Sequence, residues 1–330
     1  MGLRKMSPIW SKVTRLASRV RPCRHFLRTR LAQQVAIVMY HGVIDQPLPV
    51  FNWCQMELSR FQEQIQWLAS NCRVLPLREI AGRLARGLSL PDNTVAITFD
   101  DGFKNVYTTA YPVLQRYRTP FTVYLITSLV GTRQLTWPEQ FFNALLTAGV
   151  NEVQFEGGVW PLRTAAQKRK AYADISSSLK SMETSRKDAS LSQLLSRLNS
   201  SPGIAPALTL MDWEEVHRLA KGGLADFGSH THAHPILSRC DPARQRRELC
   251  QSREILLQQF GNADLFAYPN GTRRDFNHVT KSLLQELGYS CAVTTIPGLN
   301  RAGADLYELR RVNVGADADL AAFEILMLGL

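Results

Sequence analysis

Asp100 and Asp101 stand side by side in the stretch Thr98-Phe99-Asp100-Asp101-Gly102. The residues before them, Val95-Ala96-Ile97, are β-formers, so two carboxylates fall where a buried strand runs out. Adjacent buried carboxylates are costly unless a cation neutralises them or one keeps its proton. Alone, Asp101-Gly102 reads as a tight turn. Far downstream, His230-Thr231-His232-Ala233-His234-Pro235 follows a second strand-like run, Ala225-Asp226-Phe227-Gly228. Two imidazoles four residues apart, with one carboxylate from elsewhere, make a three-ligand catalytic metal set with a position left for water.

With Phe266-Ala267-Tyr268-Pro269-Asn270-Gly271, the TFDDG and SHTHAHP stretches resemble, in order, the motifs of the polysaccharide deacetylases, or carbohydrate esterase family four. The resemblance covers about residues 35 to 126 and 209 to 315. It implies an α/β fold, a deformed (β/α)7 barrel, and a metal-dependent hydrolase that removes acetyl groups from N-acetylated sugars. The substrate would be a polysaccharide, an oligosaccharide, a lipid-linked glycan or a nucleotide sugar. By the resemblance, Asp101, His230 and His234 hold the metal and Asp100 is the general base. The backbone N–H of Asn270 stands where the family supplies an oxyanion donor. Tyr268 and Pro269 are substrate-binding positions, in a loop that also reads as a Pro-x-Gly turn. Nitrogen and oxygen ligands in an open site suit zinc, with cobalt, nickel or iron as alternatives. His232 is expected to point away from the metal.

Two positions depart from the family pattern. Its third motif often carries an arginine that orients the base, where this chain has Ala267, and its late Leu-x-His acid has no counterpart between Ile296 and Val314. Of the other histidines, His25 lies in the amino-terminal tail, His217 in a helix, and His278 several residues past the third motif. His41, at the end of the first strand, is left as the acid or a partner of it; the plainer reading is a strand-end hydrogen bond. Two other activities are compatible with these departures: an O-acetyl esterase, which has no amine to protonate, and a catalytically weak saccharide-binding barrel.

Buried strands alternating with helices must position these groups. Val35 to Tyr40, Val95 to Phe99, Phe121 to Ile126, Ala225 to Gly228, Leu265 to Tyr268, Tyr289 to Thr294 and Arg311 to Val314 read as strands. Leu58 to Ala69, Leu77 to Leu88, Val106 to Tyr117, Asp212 to Lys221, Pro242 to Phe260 and Phe276 to Leu287 read as helices, with a kink or new start at Pro112. The alternation argues a parallel sheet, open or closed. Residues 131–208 break the rhythm: a helix over Trp137 to Leu146, a hairpin around Gly157-Gly158, and a basic helical stretch from Thr164 to Leu198. They read as an insertion in a barrel built from 34–130 and 209–330, either on the active-site side or as a brace.

The chain has 330 residues and a formal charge of +11, of which residues 1–33 carry nine basic side chains and no acid. In that segment Ile9, Trp10, Val13, Leu16 and Val20 recur at helical spacing, which suits an anionic membrane surface. A nucleic-acid role is not expected, because Trp10 is its one aromatic among Ile9 to Val20 and no stacking set accompanies it. No apolar run is long enough to span a bilayer and none forms a secretory h-region. The six cysteines form no Cys-x-x-Cys pair. We therefore expect reduced thiols and a cytoplasmic protein, peripheral on the inner face of the membrane.

Overall fold

The structure is a computed structural model that describes residues 34–328; the basic amphipathic segment expected over 1–33 lies outside them. Seven parallel strands form the frame: β1 (Gln34–Tyr40), β2 (Thr94–Phe99), β3 (Phe121–Leu125), β4 (Ala225–Ser229), β5 (Leu265–Ala267), β6 (Cys291–Pro297) and β7 (Leu309–Asn313). Each pairs in parallel with the next, and β1 pairs with both β2 and β7, so the sheet closes into a barrel. This is the (β/α)7 barrel that the motifs implied. Closure is why Val35 to Tyr40 of β1 are all apolar: one face packs on the barrel interior and the other beneath the helices.

Alternate residues sort into two cores. Val35, Ile37, Ala96, Tyr124, Leu265, Ala267, Val293 and Leu309 cluster with Leu77, Ile80, Ala81 and Leu84 of one helix, α2. That helix, Leu77–Ala85, follows α1, Leu58–Asn71. Ala36, Val38, Tyr40, Val95, Ile97, Phe99, Phe121 and Val123 pack instead against Phe61, Ile65 and Leu68 of α1.

The expected helix over Val106 to Tyr117 is two pieces. A π-helical turn, Val106–Ala110, runs into α3, Tyr111–Arg116, with Pro112 in its first turn, where its missing N–H costs nothing. Past β3, the chain forms α4 (Trp137–Leu146), a hairpin, α5 (Ala165–Ser181) and α6 (Thr184–Leu198). The hairpin turns on Glu156 and Gly157, both at positive φ, rather than on Gly157-Gly158. One continuous helix from Thr164 to Leu198 does not form. Met182 is extended and the Glu183 side chain accepts from the N–H groups of Ser185 and Arg186, starting a new helix. Phe141, Leu145, Val153, Ile175, Leu179, Leu194 and Leu198 give this segment a core of its own. Three helices then complete the ring: α7 (Trp213–Lys221), α8 (Pro242–Phe260) and α9 (His278–Glu286). A short α10, Leu320–Leu326, went unread in the sequence. The five cysteines among the described residues are free thiols, and no described helix is long and apolar enough to cross a membrane.

Candidate active site

The register of the barrel delivers the expected residues to one end. Tyr40 pairs with Phe99, and the Asp100 N–H donates to the Tyr40 carbonyl at 3.0 Å, so His41 and Asp100 leave adjacent strands side by side. Leu125 pairs with Ser229, and the His230 N–H donates to the Leu125 carbonyl at 2.9 Å. The histidine loop is then wound by side chains. Ser229 Oγ accepts from the Thr231 N–H, Thr231 Oγ1 from the His234 N–H and Glu248 from the Ala233 N–H.

Asp101, Thr231, His234 and Asn270 all have positive φ, between 59° and 70°, although none is glycine. Such a conformation is held only where its surroundings fix it, and it is concentrated at functional sites. Gly102 follows at φ 77°, where a Cβ would come within 2.8 Å of the Leu125 side chain.

Asp101, His230 and His234 converge: one ligand atom from each lies within 4.8 Å of the others. Asp101 Oδ1 is 3.5 Å from Nε2 of both histidines, yet it is buried without a hydrogen-bond partner. An orphaned carboxylate oxygen facing two bare imidazole nitrogens fits a cation about 2 Å from each. His230 donates its other nitrogen, Nδ1, to the Ala267 carbonyl at 2.8 Å, which leaves Nε2 as the lone-pair atom. Burial holds both imidazoles below the usual range, hence neutral. It pushes Asp101 up, and the charges of Glu139 and Asp100 push it further. A divalent cation would reverse that pressure. The residues therefore fit the metal that the motifs implied. His232 is not part of the cluster, and its Nδ1 lies 3.1 Å from Thr127 Oγ1.

Asp100 is held differently. Burial raises it, but Arg311 donates from Nη1 to Oδ1 at 2.7 Å and from Nη2 to Oδ2 at 2.6 Å, and its charge keeps the carboxylate well below the usual range. Arg311 is itself fully buried, with Nε on the Thr294 carbonyl and Nη1 also near Thr98 Oγ1. Ala267 left the base without an arginine in its own motif, and β7, which neighbours β1 as β2 does, supplies one. Sequence reasoning missed it. The available signal was the pair Arg310-Arg311 set between the apolar Leu309 and Val312.

His41 is half-buried, and its ring lies edge-on to Trp53 with centroids 4.8 Å apart. Burial pulls its pKa down to about 4, with Asp100 opposing and Arg311 and His230 assisting. Its resting form is therefore the neutral imidazole. Asn270 has its carbonyl bonded to Thr295 Oγ1, and its N–H has no partner among the described residues. Tyr268 does not serve as a substrate contact. Its side chain is buried, its hydroxyl donates to the Tyr307 carbonyl at 2.8 Å and its ring stacks on Phe276 at 4.1 Å. Pro269 is buried behind it, so both expected substrate contacts are core residues shaping the loop.

The segment after β3 borders this site. Val50 packs with Leu135, Phe142 and Leu208, and the Arg169 guanidinium sits 4.3 Å from the Phe51 ring centroid. Glu139 of α4 is buried, and burial pushes its carboxyl up to about 7.

The sequence model of the polysaccharide deacetylase family matches residues 88–192 and 194–292. The chain belongs to the polysaccharide deacetylase family. The deacetylase is accordingly a hydrolase of amide bonds other than peptide bonds. It is 21% identical over 300 residues to YxkH of Bacillus subtilis, a protein named as a polysaccharide deacetylase, spanning 90% of this chain and 77% of that one. It is 33% identical over 109 residues to a Staphylococcus aureus poly-β-1,6-N-acetyl-D-glucosamine N-deacetylase, covering 32% of this chain and 35% of that protein. The fold is similar to that of the deacetylase PplD of Streptococcus pyogenes, solved with acetate, at a TM-score of 0.61 and 19% identity over 89% of this chain and 98% of that one. IcaB from Ammonifex degensii gives 0.59 and 20% over 90% and 97%.

Proposed function

We propose that this deacetylase removes acetyl groups from N-acetylated sugars of a glycan, with Asp101, His230 and His234 holding a divalent metal, zinc first among the candidates. The observation that carries the reading is one carboxylate held ionised by Arg311 next to a second, orphaned carboxylate that faces two neutral imidazoles. When bound, the metal supplies Lewis acidity to the acyl oxygen and to a water. Asp100, kept charged, takes the proton as that water adds to the acetyl carbon. The free N–H of Asn270 donates to the oxygen that gains charge. The C–N bond then breaks, and the proton lost by water ends on the departing amine. His41, neutral at rest and beside Asp100, must take up a proton before it can give one, and the proton from water is at hand.

Acetate release from β-1,6-linked and β-1,4-linked N-acetylglucosamine oligomers, with and without chelator, tests the proposal. We expect release that a chelator abolishes and that Asp100→Asn removes without loss of metal. A metal-loaded protein that binds oligomer but releases no acetate from any of them would be a saccharide-binding barrel instead. The second reading, an O-acetyl esterase, draws support from the low pKa of His41, since an ester leaves without a protonated amine. Acetylated xylan hydrolysed in preference to the N-acetyl oligomers would select it.

A further inference from the structure

Trp53 is one of three large apolar side chains that the described residues leave exposed, at 44% of its surface. The other two, Leu88 and Val159, lie past α2 and in the hairpin. Trp53 belongs to none of the apolar clusters. Its mount, however, is rigid. Asn52 and Cys54 on either side are buried, and Asn52 Oδ1 accepts from the Cys54 N–H at 2.9 Å. The Gln55 N–H donates to the Asn52 carbonyl, and the Ala316 N–H to the Trp53 carbonyl at 3.1 Å. The Gly42 N–H donates to the Cys54 carbonyl at 2.9 Å, tying the loop to the residue after His41. A mobile loop tip explains an exposed indole cheaply, but a loop pinned by three backbone–backbone hydrogen bonds and one to a side chain does not.

The indole stands edge to face with His41, itself beside Asp100. It therefore lies one ring outward from the reacting groups. A flat, electron-rich face held in water beside a hydrolytic centre complements the C–H face of a pyranose. We propose that Trp53 is a stacking platform for the sugar next to the one that loses its acetyl group, so that the preferred substrate is a chain of at least two pyranoses. A monosaccharide or a nucleotide sugar fills the reacting position and leaves the platform empty. This rests on the glycan reading above and extends it to substrate length.

The test compares wild type, Trp53→Ala and Trp53→Phe by calorimetric titration with a β-1,6-linked N-acetylglucosamine pentamer, a β-1,4-linked pentamer and the monosaccharide. Acetate release from each, hydrolysis of a small activated acetyl ester, metal content and Tm are measured alongside. We expect Trp53→Ala to weaken pentamer binding by about tenfold, the size of one stacked aromatic contact. KM for the pentamer should rise by the same factor with kcat held, and Trp53→Phe should fall between. Monosaccharide and ester turnover, metal content and Tm should not move. Equal pentamer binding by wild type and Trp53→Ala overturns the platform, as does a wild type that binds neither pentamer. Equal losses on ester and pentamer overturn it too, because Trp53 would then act through His41. A wild type that releases no acetate, yet binds pentamer in a way that Trp53→Ala weakens, refutes the hydrolytic reading and upholds the platform.

Discussion

Replacing Arg311 by Met tests whether the last barrel strand sets the chemistry. The Arg311 side chain is 0% exposed and that of Asp100 3%, so methionine keeps most of the apolar stem and strips the carboxylate of its counter-charge. Removing one partner of a buried ion pair costs about 3–5 kcal/mol. Asp100 relieves part of that by taking a proton, because burial alone pushes it up. We expect a loss at the lower end, about 3 kcal/mol at pH 7, and a base that is neutral there. Turnover should fall about a hundredfold or more, the worth of an acid–base group. The pH dependence should also change sign. In wild type the folded pKa lies below the ordinary carboxylate value of 3.8, so the pair's stabilisation is complete above about pH 4 and is lost as pH falls through the folded value. In Arg311→Met the folded pKa is raised, so its contribution is present at low pH and lost as pH rises toward neutrality. The gap between the two proteins should therefore narrow on acidification. Urea unfolding at pH 5 and pH 7, with acetate release, reads both effects. Asp100→Leu added to Arg311→Met should recover stability without activity, since no buried charge is left unpaired. A Met variant within about 1 kcal/mol of wild type, or one that turns over normally, would refute the reasoning.

His234→Ala should lower metal content and activity together, read by metal analysis of the purified protein, and His230→Ala should do likewise; full occupancy in either removes that ligand from the set. His41→Ala should leave metal content intact and cut amide turnover by about a hundredfold, with a smaller loss on an activated acetyl ester. Equal losses on amide and ester would exclude a proton-donating role. Because burial pulls His41 down to about 4, a protein lacking it should lose less stability than wild type as pH falls from the ordinary imidazole value of 6.5 toward 4; parallel pH–stability curves would contradict that burial effect. We propose that residues 1–33 tether the chain to anionic membrane. Their deletion should spare activity on a soluble substrate and reduce pelleting with anionic vesicles at low salt, and undiminished pelleting would end that idea.

Local pattern made much of this legible. Val35 to Tyr40 is apolar on both faces, and only a strand buried on both sides asks for that. Asp212 caps its helix through its own side chain, as its residue type allows. What stayed hidden depends on partners distant in sequence. Arg311 reads as an oddity until β1 closes the barrel between β2 and β7. Tyr268 looked like a substrate contact because a motif gives order along the chain, not which way a ring turns; Phe276 and Tyr307 decide that. The break at Met182-Glu183 is faint because α5 and α6 are equally polar, and Pro112 marked a new start without showing the wide turn before it. Trp53 carried no signal at all, since an exposed tryptophan is evident only once its neighbours are known to be buried.

The ion pair between Asp100 and Arg311 joins positions 211 residues apart in sequence. During synthesis the base emerges long before its counter-charge, and for that interval nothing holds the carboxylate ionised in a dry site. Asp101, His230 and His234 have all been made by residue 234, whereas the Ala267 carbonyl that orients His230 and the Arg311 that charges Asp100 come later. The ion pair can form only when β7 adds the final edge and pairs with β1. A chain cut short of residue 309 would lack Arg311, and with it the counter-charge that keeps Asp100 ionised.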